Sequence, residues 1–500
     1  MSRKKRGFST EYVSPNQLSI AGFDTGFSHD LDPDNRWVKL SSLIPWDEIV
    51  SLYDHSISKD KGRPNLNGRV VVGSLIIQWL EGFTDRQLVQ HIGENLYMQY
   101  FLGYTGFTPG PPFDPSLLVE LRKRLDMEKV IAINEAVLRK HGVLKTQQVP
   151  ATDVVDDEVP KKGRVLYDAT VCPQDIAYPT DLNLLNEARL ITEKVIDVLY
   201  IPIRGERKPR TYRKLARKDY LNLAKKKRKG KKALRKGLKK QLGYLQRNLN
   251  TVEELAAQNY AGQLPVNLLG KRLYHRLLVS STIYEQQQEM IDKNTRSVAD
   301  RIVSISQPHV RPMTRGKSAN NTEFGAKINV SLADGFAFLD QLSWGAFHEG
   351  NQLVHYLDQY YQSRGHYPAE VLADKLYCTR ENRNTLKQMG IKLLAKPLGR
   401  PPTNPKPPSF SAGERNPIEG VFGQAKRAYG MNRITTKLRE TSQTAIAFSL
   451  LAVNLARLLA RQAAYALNIA TFLALISRVL FNIKQILSPN RLQNAYLGFS

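Results

Sequence analysis

The sequence predicts an α/β protein: a mixed sheet flanked by helices, preceded by an all-helical domain and interrupted by a basic helical insertion. Three observations carry this. Short apolar runs of strand composition recur at residues 165–167, 301–306, 326–332, 336–342, 371–373 and 391–395. Helical periodicity without strand signals fills residues 63–148. Residues 204–247 hold 20 Lys or Arg against only Glu206 and Asp219, so +18 of the net +27 lies in this one segment.

Composition sets the outer limits. With 500 residues and 42% hydrophobic side chains there is material for a real core, and the length suits about three domains. Two cysteines, Cys172 and Cys378, exclude a disulfide scaffold and a four-cysteine zinc site, and fit a reducing cytoplasm. Four basic residues at 3–6 are followed by a polar segment where a secretion signal needs an apolar core. The apolar region 441–480 is divided by Arg457, Arg461 and Arg478 into runs shorter than the roughly 20 residues a bilayer span requires. It reads as a buried helix, with leucines spaced by three and four, and no membrane role is expected.

In chain order, residues 1–62 mix Pro, Asp, Ser and Trp without sustained periodicity and are expected to be irregular. The helical domain, 63–148, opens with an apolar helix over 70–80, stopped by Gly82. Thr84-Asp85-Arg86-Gln87 has the spacing of a capping box and starts the next helix. Asp114 and Pro115 supply the start of another over 116–125, whose Arg122, Lys123 and Arg124 are either phosphate contacts or ordinary surface charges. An acidic linker, 149–160, leads to the first part of the sheet domain, 161–200. The insertion, 201–298, contains the basic block; its leucines suggest helical hairpins, and its uncompensated charge points to a polyanion. The candidate DNA contacts are Arg207, Lys208, Arg210, Arg213, Lys214, Lys225, Lys226, Lys227, Arg228, Lys229, Lys231 and Lys232. The sheet domain resumes over 299–456, with Asp334-Gly335 as a two-residue hairpin turn. A proline-rich stretch, 397–408, must be loop or extended chain, and a helical extension over 457–500 follows the domain.

Three carboxylates stand out. Asp168 follows Val165-Leu166-Tyr167, and Asp374 follows Val371-Leu372-Ala373, so each acid ends an apolar strand at a sheet edge, where active sites and turn residues both occur. Asn416-Pro417-Ile418-Glu419 reads as a helix start with Asn416 as N-cap and Glu419 reaching back. Arg415, Glu419 and Lys426 then share one helix face. Two strand-end acids and one helix acid make a hard oxygen cage of the kind that takes Mg²⁺. A pair of such ions about 4 Å apart serves in-line phosphoryl displacement.

In order along the chain, Tyr167-Asp168-Ala169-Thr170, Tyr178-Pro179-Thr180-Asp181, Thr322-Glu323-Phe324-Gly325-Ala326-Lys327, Ala373-Asp374-Lys375 and Arg415-Asn416-Pro417-Ile418-Glu419 with Lys426 resemble a bacterial insertion-sequence transposase of the DDE type. The chain resembles the insertion-sequence-five and related groups, whose helical signature is Arg, three residues, Glu, six residues, Lys, a spacing that Arg415, Glu419 and Lys426 fit. The segment around Gly82–Leu88 and Phe113–Ser116 is similar to the N-terminal domain of that family.

The resemblance implies an RNase H-like catalytic core, with Asp168, Asp374 and Glu419 as ligands of two Mg²⁺ ions (Mn²⁺ as the alternative) and Arg415 and Lys426 as phosphate-contacting helpers. It implies cleavage at the element ends and attack of the freed 3′-hydroxyl on target DNA. The implied partners are double-stranded DNA, as transposon ends and target, and further copies of the chain in a homodimer or higher oligomer, working in the cytoplasm at the nucleoid. Two departures stand against the pattern: Ala412 occupies the position of the family's extra Tyr, and the basic block separates the first two core strands. Two rivals remain, a nuclease of the same core without strand transfer and a catalytically inactive DNA-binding descendant. Asp175, Asp181, Asp334 and Glu414 are reserve acids, and both cysteines are expected to be packing residues.

Overall fold

The computed structural model describes residues 31–54, 66–145, 160–202, 207–314, 322–396, 398 and 412–486. The acidic linker expected before residue 160 and the proline-rich stretch 397–408 lie outside the described residues, apart from the single residue Leu398. Helices α1 (Arg36–Leu43) and α2 (Trp46–Asp54) are followed by α3 (Gly68–Glu81), α4 (Asp85–Glu94), α5 (Leu96–Phe101), α6 (Leu117–Arg124) and α7 (Met127–Lys140). Strand β1 (Arg164–Pro173) precedes α8 (Asp181–Leu199), and the basic insertion supplies α9 (Arg213–Ala224), α10 (Lys231–Asn259), α11 (Val266–Leu269) and α12 (Lys271–Asp292). The chain returns through β2 (Arg311–Thr314), β3 (Thr322–Ala333), β4 (Phe336–Ser343), α13 (Leu353–Arg364), β5 (Glu370–Ala373), α14 (Arg380–Gln388) and β6 (Lys392–Leu394). It ends in α15 (Asn416–Ala428) and α16 (Arg439–Ile486).

The sheet runs in the order β2-β3-β1-β5-β6, with β4 also paired to β3. β3 is antiparallel to β1, β2 and β4, whereas β5 is parallel to both β1 and β6. Alternation sends Val165, Tyr167, Val371 and Ala373 to a core shared with α13 and α14. Leu166 and Leu372 go to the opposite core, which α15 and α16 close. Hence a mixed sheet flanked by helices. At Gly325 an added Cβ would meet the Cys172 carbonyl oxygen at 2.0 Å, so the close approach of β3 to β1 there requires glycine.

The start of the chain departs from expectation. Residues 36–54, expected to be irregular, form α1 and α2, with Trp37, Leu40, Trp46, Ile49 and Tyr53 buried. Each helix is under ten residues and Pro45 separates them, so neither sustains a pattern visible without its neighbours. The Thr84 capping box forms as its spacing requires, and Gly82 caps α3 in the left-handed conformation. Arg122 is buried against Asp85 and Gln78 rather than offered to phosphate.

Residues 301–306 are not a strand: Ile302 and Ile305 enter the core of the insertion, while Val303 enters the core beneath the sheet. One segment serving two cores cannot keep strand alternation. The strand instead comes later, at β2, whose Pro312 has no N–H to donate and suits an outer position. The Asp334-Gly335 turn has both residues at positive φ, 53° and 81°, as a two-residue hairpin demands.

Helix α16 is continuous over 48 residues and runs straight through the boundary drawn at 456–457. Asn454, buried on it, accepts from the Ala337 N–H and donates to the Ala337 carbonyl and to Asn134, tying α16 to β4 and α7. Residues 439–469 are long and apolar enough to cross a membrane, but 72% of their most apolar window is buried inside the protein, as in a core helix. Beyond residue 462 the expected burial fails: the helix leaves the body, and residues 463–469, 471, 472 and 475–478 are exposed.

Asp340 on β4 faces a partly open pocket of about 580 Å³. Ser331 and Asn329 donate to it at 2.7 and 3.1 Å, and Tyr377 donates in turn to Asn329. Burial pushes its carboxyl up to about 8. A folded value above the unfolded one means that the fold loses stability as pH rises from about 4 to about 8. Asp340→Asn is therefore expected to raise the melting temperature at pH 8, by the equivalent of roughly 1–3 kcal/mol, and to have little effect at pH 4. Denaturation scans at the two pH values test this; an equal change at both would contradict it.

Candidate active site

The parallel pairing of β1 with β5 aligns Tyr167 with Ala373, so Asp168 and Asp374 follow on neighbouring strands at the same level. By strand alternation both share parity with Leu166 and Leu372, on the face covered by α15 and α16. Two segments about 200 residues apart in the chain thus deliver two acids side by side. Asp374 lies just beyond the end of β5 as expected, but Asp168 is within β1, which stays paired to β3 as far as Pro173 and so does not end at the acid. Asp374 also caps a 3-10 turn, Lys375–Tyr377, accepting from the Lys375 N–H at 2.7 Å.

Arg415 joins them. Its guanidinium donates to Asp168 Oδ2 at 3.0 Å and lies 3.4 Å from Asp374 Oδ1. It comes from a 3-10 turn, Ala412–Arg415, that runs directly into α15. Lys426, near the other end of α15, donates to Thr170 at 2.8 Å, pinning the helix along β1. The buried face of α15, Ile418, Val421, Phe422 and Ala425, fixes its rotation.

The N-terminus of α15 differs from the expected cap. Asn416 is the first helical residue, Arg415 takes the cap position in helical conformation, and no side chain caps the backbone. Glu419 is exposed, on the helix that carries Arg415. Among the described residues no group of three His, Cys, Asp or Glu gathers to hold a metal. The structure therefore brings Asp168, Asp374 and Arg415 together, with Lys426 along the same helix, and does not bring Glu419 into contact with the two aspartates.

Electrostatics single out Asp168. Its side chain is 17% exposed, and burial, only partly offset by Arg415 and the Ala169 N–H, pushes its carboxyl up to about 6. The negative charges of Glu349 and Asp374 add to the rise. Glu349, in the turn Glu349–Gln352 and paired with Lys327 at 2.8 Å, is a nearby acid that sequence reading did not single out. It follows no strand, so no local signal marks it. The reserve acids are engaged elsewhere: Asp175 with Arg433, Asp181 with Arg301 and Gln287, Glu414 with Arg164, and Asp334 in its turn.

Two carboxylates converging on one cationic group are the donor chemistry that Mg²⁺ or Mn²⁺ takes, so Asp168 and Asp374 fit such an ion, with the guanidinium standing in for it. The third ligand expected from sequence is outside that cluster in this conformation. Both cysteines are buried and unpaired, in keeping with packing roles.

The basic insertion forms a second candidate surface. Arg207, Lys208 and Arg210 lie on extended chain, Arg213 and Lys214 open α9, Lys225–Lys229 connect α9 to α10, and Lys231 and Lys232 open α10; all twelve are exposed. Lys208 and Arg213 both hold Asp197, at 2.7 and 2.8 Å. The same face of α10 continues through Arg235, Lys236, Lys239 and Lys240, which with Lys232 line one open groove. These four extend the surface beyond the candidate residues of the sequence reading, at the helical spacing that the block itself contains. Arg235 donates to Asn294 and the Ile291 carbonyl, anchoring α10 on the end of α12.

A family model described as a transposase DDE domain matches residues 371–456, and one described as a transposase domain matches residues 27–124. A Rhizobium meliloti protein described as uncharacterized protein ORF8 in nfe locus is 26% identical over 161 residues, which are 32% of this chain and 71% of that protein. No solved structure matches.

Proposed function

Starting from a chain that belongs to the insertion-sequence DDE transposases, we propose that it binds the inverted repeats at the ends of its element, cuts there and joins the cut ends to target DNA, on an RNase H-like core. Transposases act on DNA, and the DDE family generally depends on a divalent metal. The observation that carries the finer reading is the meeting of Asp168 and Asp374 on Arg415, at the head of the helix bearing Glu419 and Lys426. The narrower placement in the insertion-sequence-five group rests on the spacing of Arg415, Glu419 and Lys426 alone.

Asp168 and Asp374 would hold the metal, two Mg²⁺ or Mn²⁺ ions per site, with Glu419 as the third acid. Such ions, when bound, neutralise charge on the phosphate and on the oxygens that attack and leave. The side chains of the chain itself orient the reaction. Arg415 offsets the repulsion between the two aspartates and, once they are otherwise neutralised, offers its guanidinium to a phosphate in bidentate geometry. Lys426 holds α15 on β1 and supplies a second positive point for the backbone. Asp168 is ionised above about pH 6, so neutral pH suits this arrangement. The domains proposed are the helical unit 63–148, the core in two parts, 161–200 and 299–456, and the DNA-binding insertion 201–298, acting in the cytoplasm at the nucleoid as a homodimer or higher oligomer.

The test uses the full chain, Mg²⁺, the DNA flanking its reading frame on both sides, and a target plasmid. Cleavage at the repeats with recovery of joined plasmid is the expected result. Cleavage without joining would make the protein a nuclease of this core. Binding without cleavage would make it an inactive DNA-binding descendant.

A further inference from the structure

Helix α16 carries one apolar seam through two environments. Phe448, Leu451, Leu455 and Leu458, spaced by three and four residues, are buried in the core formed with the N-terminal helices. The same spacing passes Gln462 and continues as Tyr465, Ile469, Phe472 and Ile476, where the helix has left the body. There Tyr465 is 69% and Phe472 61% exposed, with Ile469, Leu475 and Ile476 also open to solvent. Soluble helices do not ordinarily present a bare, regular stripe of aromatic and branched side chains.

We propose that the projecting part of α16 is a self-association helix, whose Tyr465, Ile469, Phe472 and Ile476 pack against the same residues of a second copy of this chain. The steps of three and four are the 3.5-residue repeat of a two-stranded coiled coil, in which identical stripes are complementary about a twofold axis. Together with Leu475, these side chains expose on the order of 500 Å² of largely apolar surface per chain, a large part of the roughly 800 Å² per partner of a stable interface. A bilayer suits the helix less well. The uncharged run 462–477, between Arg461 and Arg478, spans about 24 Å as a helix, short of the roughly 30 Å hydrocarbon thickness. The inference gives the proposed oligomer a surface, but its test needs no DNA or catalysis, so it can fail while the reading of the active site stands.

Sedimentation equilibrium of the full chain at micromolar concentration is expected to give twice the 56.7 kDa mass of one copy. Ile469→Asp combined with Phe472→Asp should yield the single mass, or at least a tenfold weaker dimer. Leu467→Asp, on the opposite side of the helix, should leave the dimer intact. Because these side chains are exposed in a single copy, the variant should stay folded by circular dichroism, and its melting temperature should lose the rise with protein concentration that the dimeric wild type shows. Ile469→Ser with Phe472→Ser repeats the test without adding charge. A monomeric wild type, or a dimer that survives both double variants, overturns the proposal. So does a monomer that cosediments with vesicles of neutral and anionic phospholipid through Ile469 and Phe472.

Discussion

Asp168→Asn is expected to abolish DNA strand cleavage, by about 10³-fold or more, while leaving DNA affinity within about twofold. The isosteric amide keeps the shape of the site but removes a charge that any bound divalent ion needs. The same variant should be more stable than wild type at pH 7.5. Burial raises the Asp168 carboxyl from 3.8 to about 6 despite Arg415, so the ionised side chain is a net cost to the fold. That cost appears as pH rises from about 4 to about 6 and is constant above, up to roughly 3 kcal/mol and less once the loss of the Arg415 contact is counted. Wild type and variant should therefore melt alike at pH 4 and diverge by pH 7. Mg²⁺ or Mn²⁺ should raise the melting temperature of wild type and not of Asp168→Asn. Wild-type cleavage by the variant would remove Asp168 from the chemistry, whatever its stability.

What sequence could reveal here followed from how local each signal is. The Thr84 capping box and the Asp334-Gly335 turn depend on a few adjacent residues, and both form. Asp168 and Asp374 were visible as acids after apolar runs, and Asp374 does follow the end of β5, whereas β1 continues past Asp168 to Pro173. Their adjacency is a matter of register between strands some 200 residues apart, with the whole insertion between them. No local pattern encodes that pairing. The Arg415 bridge is longer in range still, 247 residues from Asp168, and it became plain only once α15 lay along β1. Glu349 illustrates the opposite limit: its charge bears on Asp168 purely through space. At residues 301–306 the composition pointed to a strand, yet the side chains divide between two cores, and tertiary packing prevailed over local propensity.

The second large effect should come from the basic insertion. Replacing Lys226, Lys227, Lys232, Lys236 and Lys239 together by Gln is expected to weaken binding to double-stranded DNA by about 10³-fold near physiological salt. It should also flatten the dependence of log affinity on log salt by roughly four to five, because each lysine that meets a phosphate releases about 0.9 of a counterion. All five are exposed on the α9–α10 connection or on α10, and none packs in the hydrophobic core. The core that the insertion shares with α8, with Leu184, Leu185, Leu242, Leu245 and Ile283 buried, should hold its helices in place without them. The loss should be equal for repeat and unrelated sequences, since point charges on a duplex backbone read no bases. Filter binding or fluorescence anisotropy at 50, 100 and 200 mM salt measures the slope. An unchanged slope would mean that the block does not face DNA; a loss confined to the element's repeats would mean that these lysines read sequence instead of neutralising its backbone.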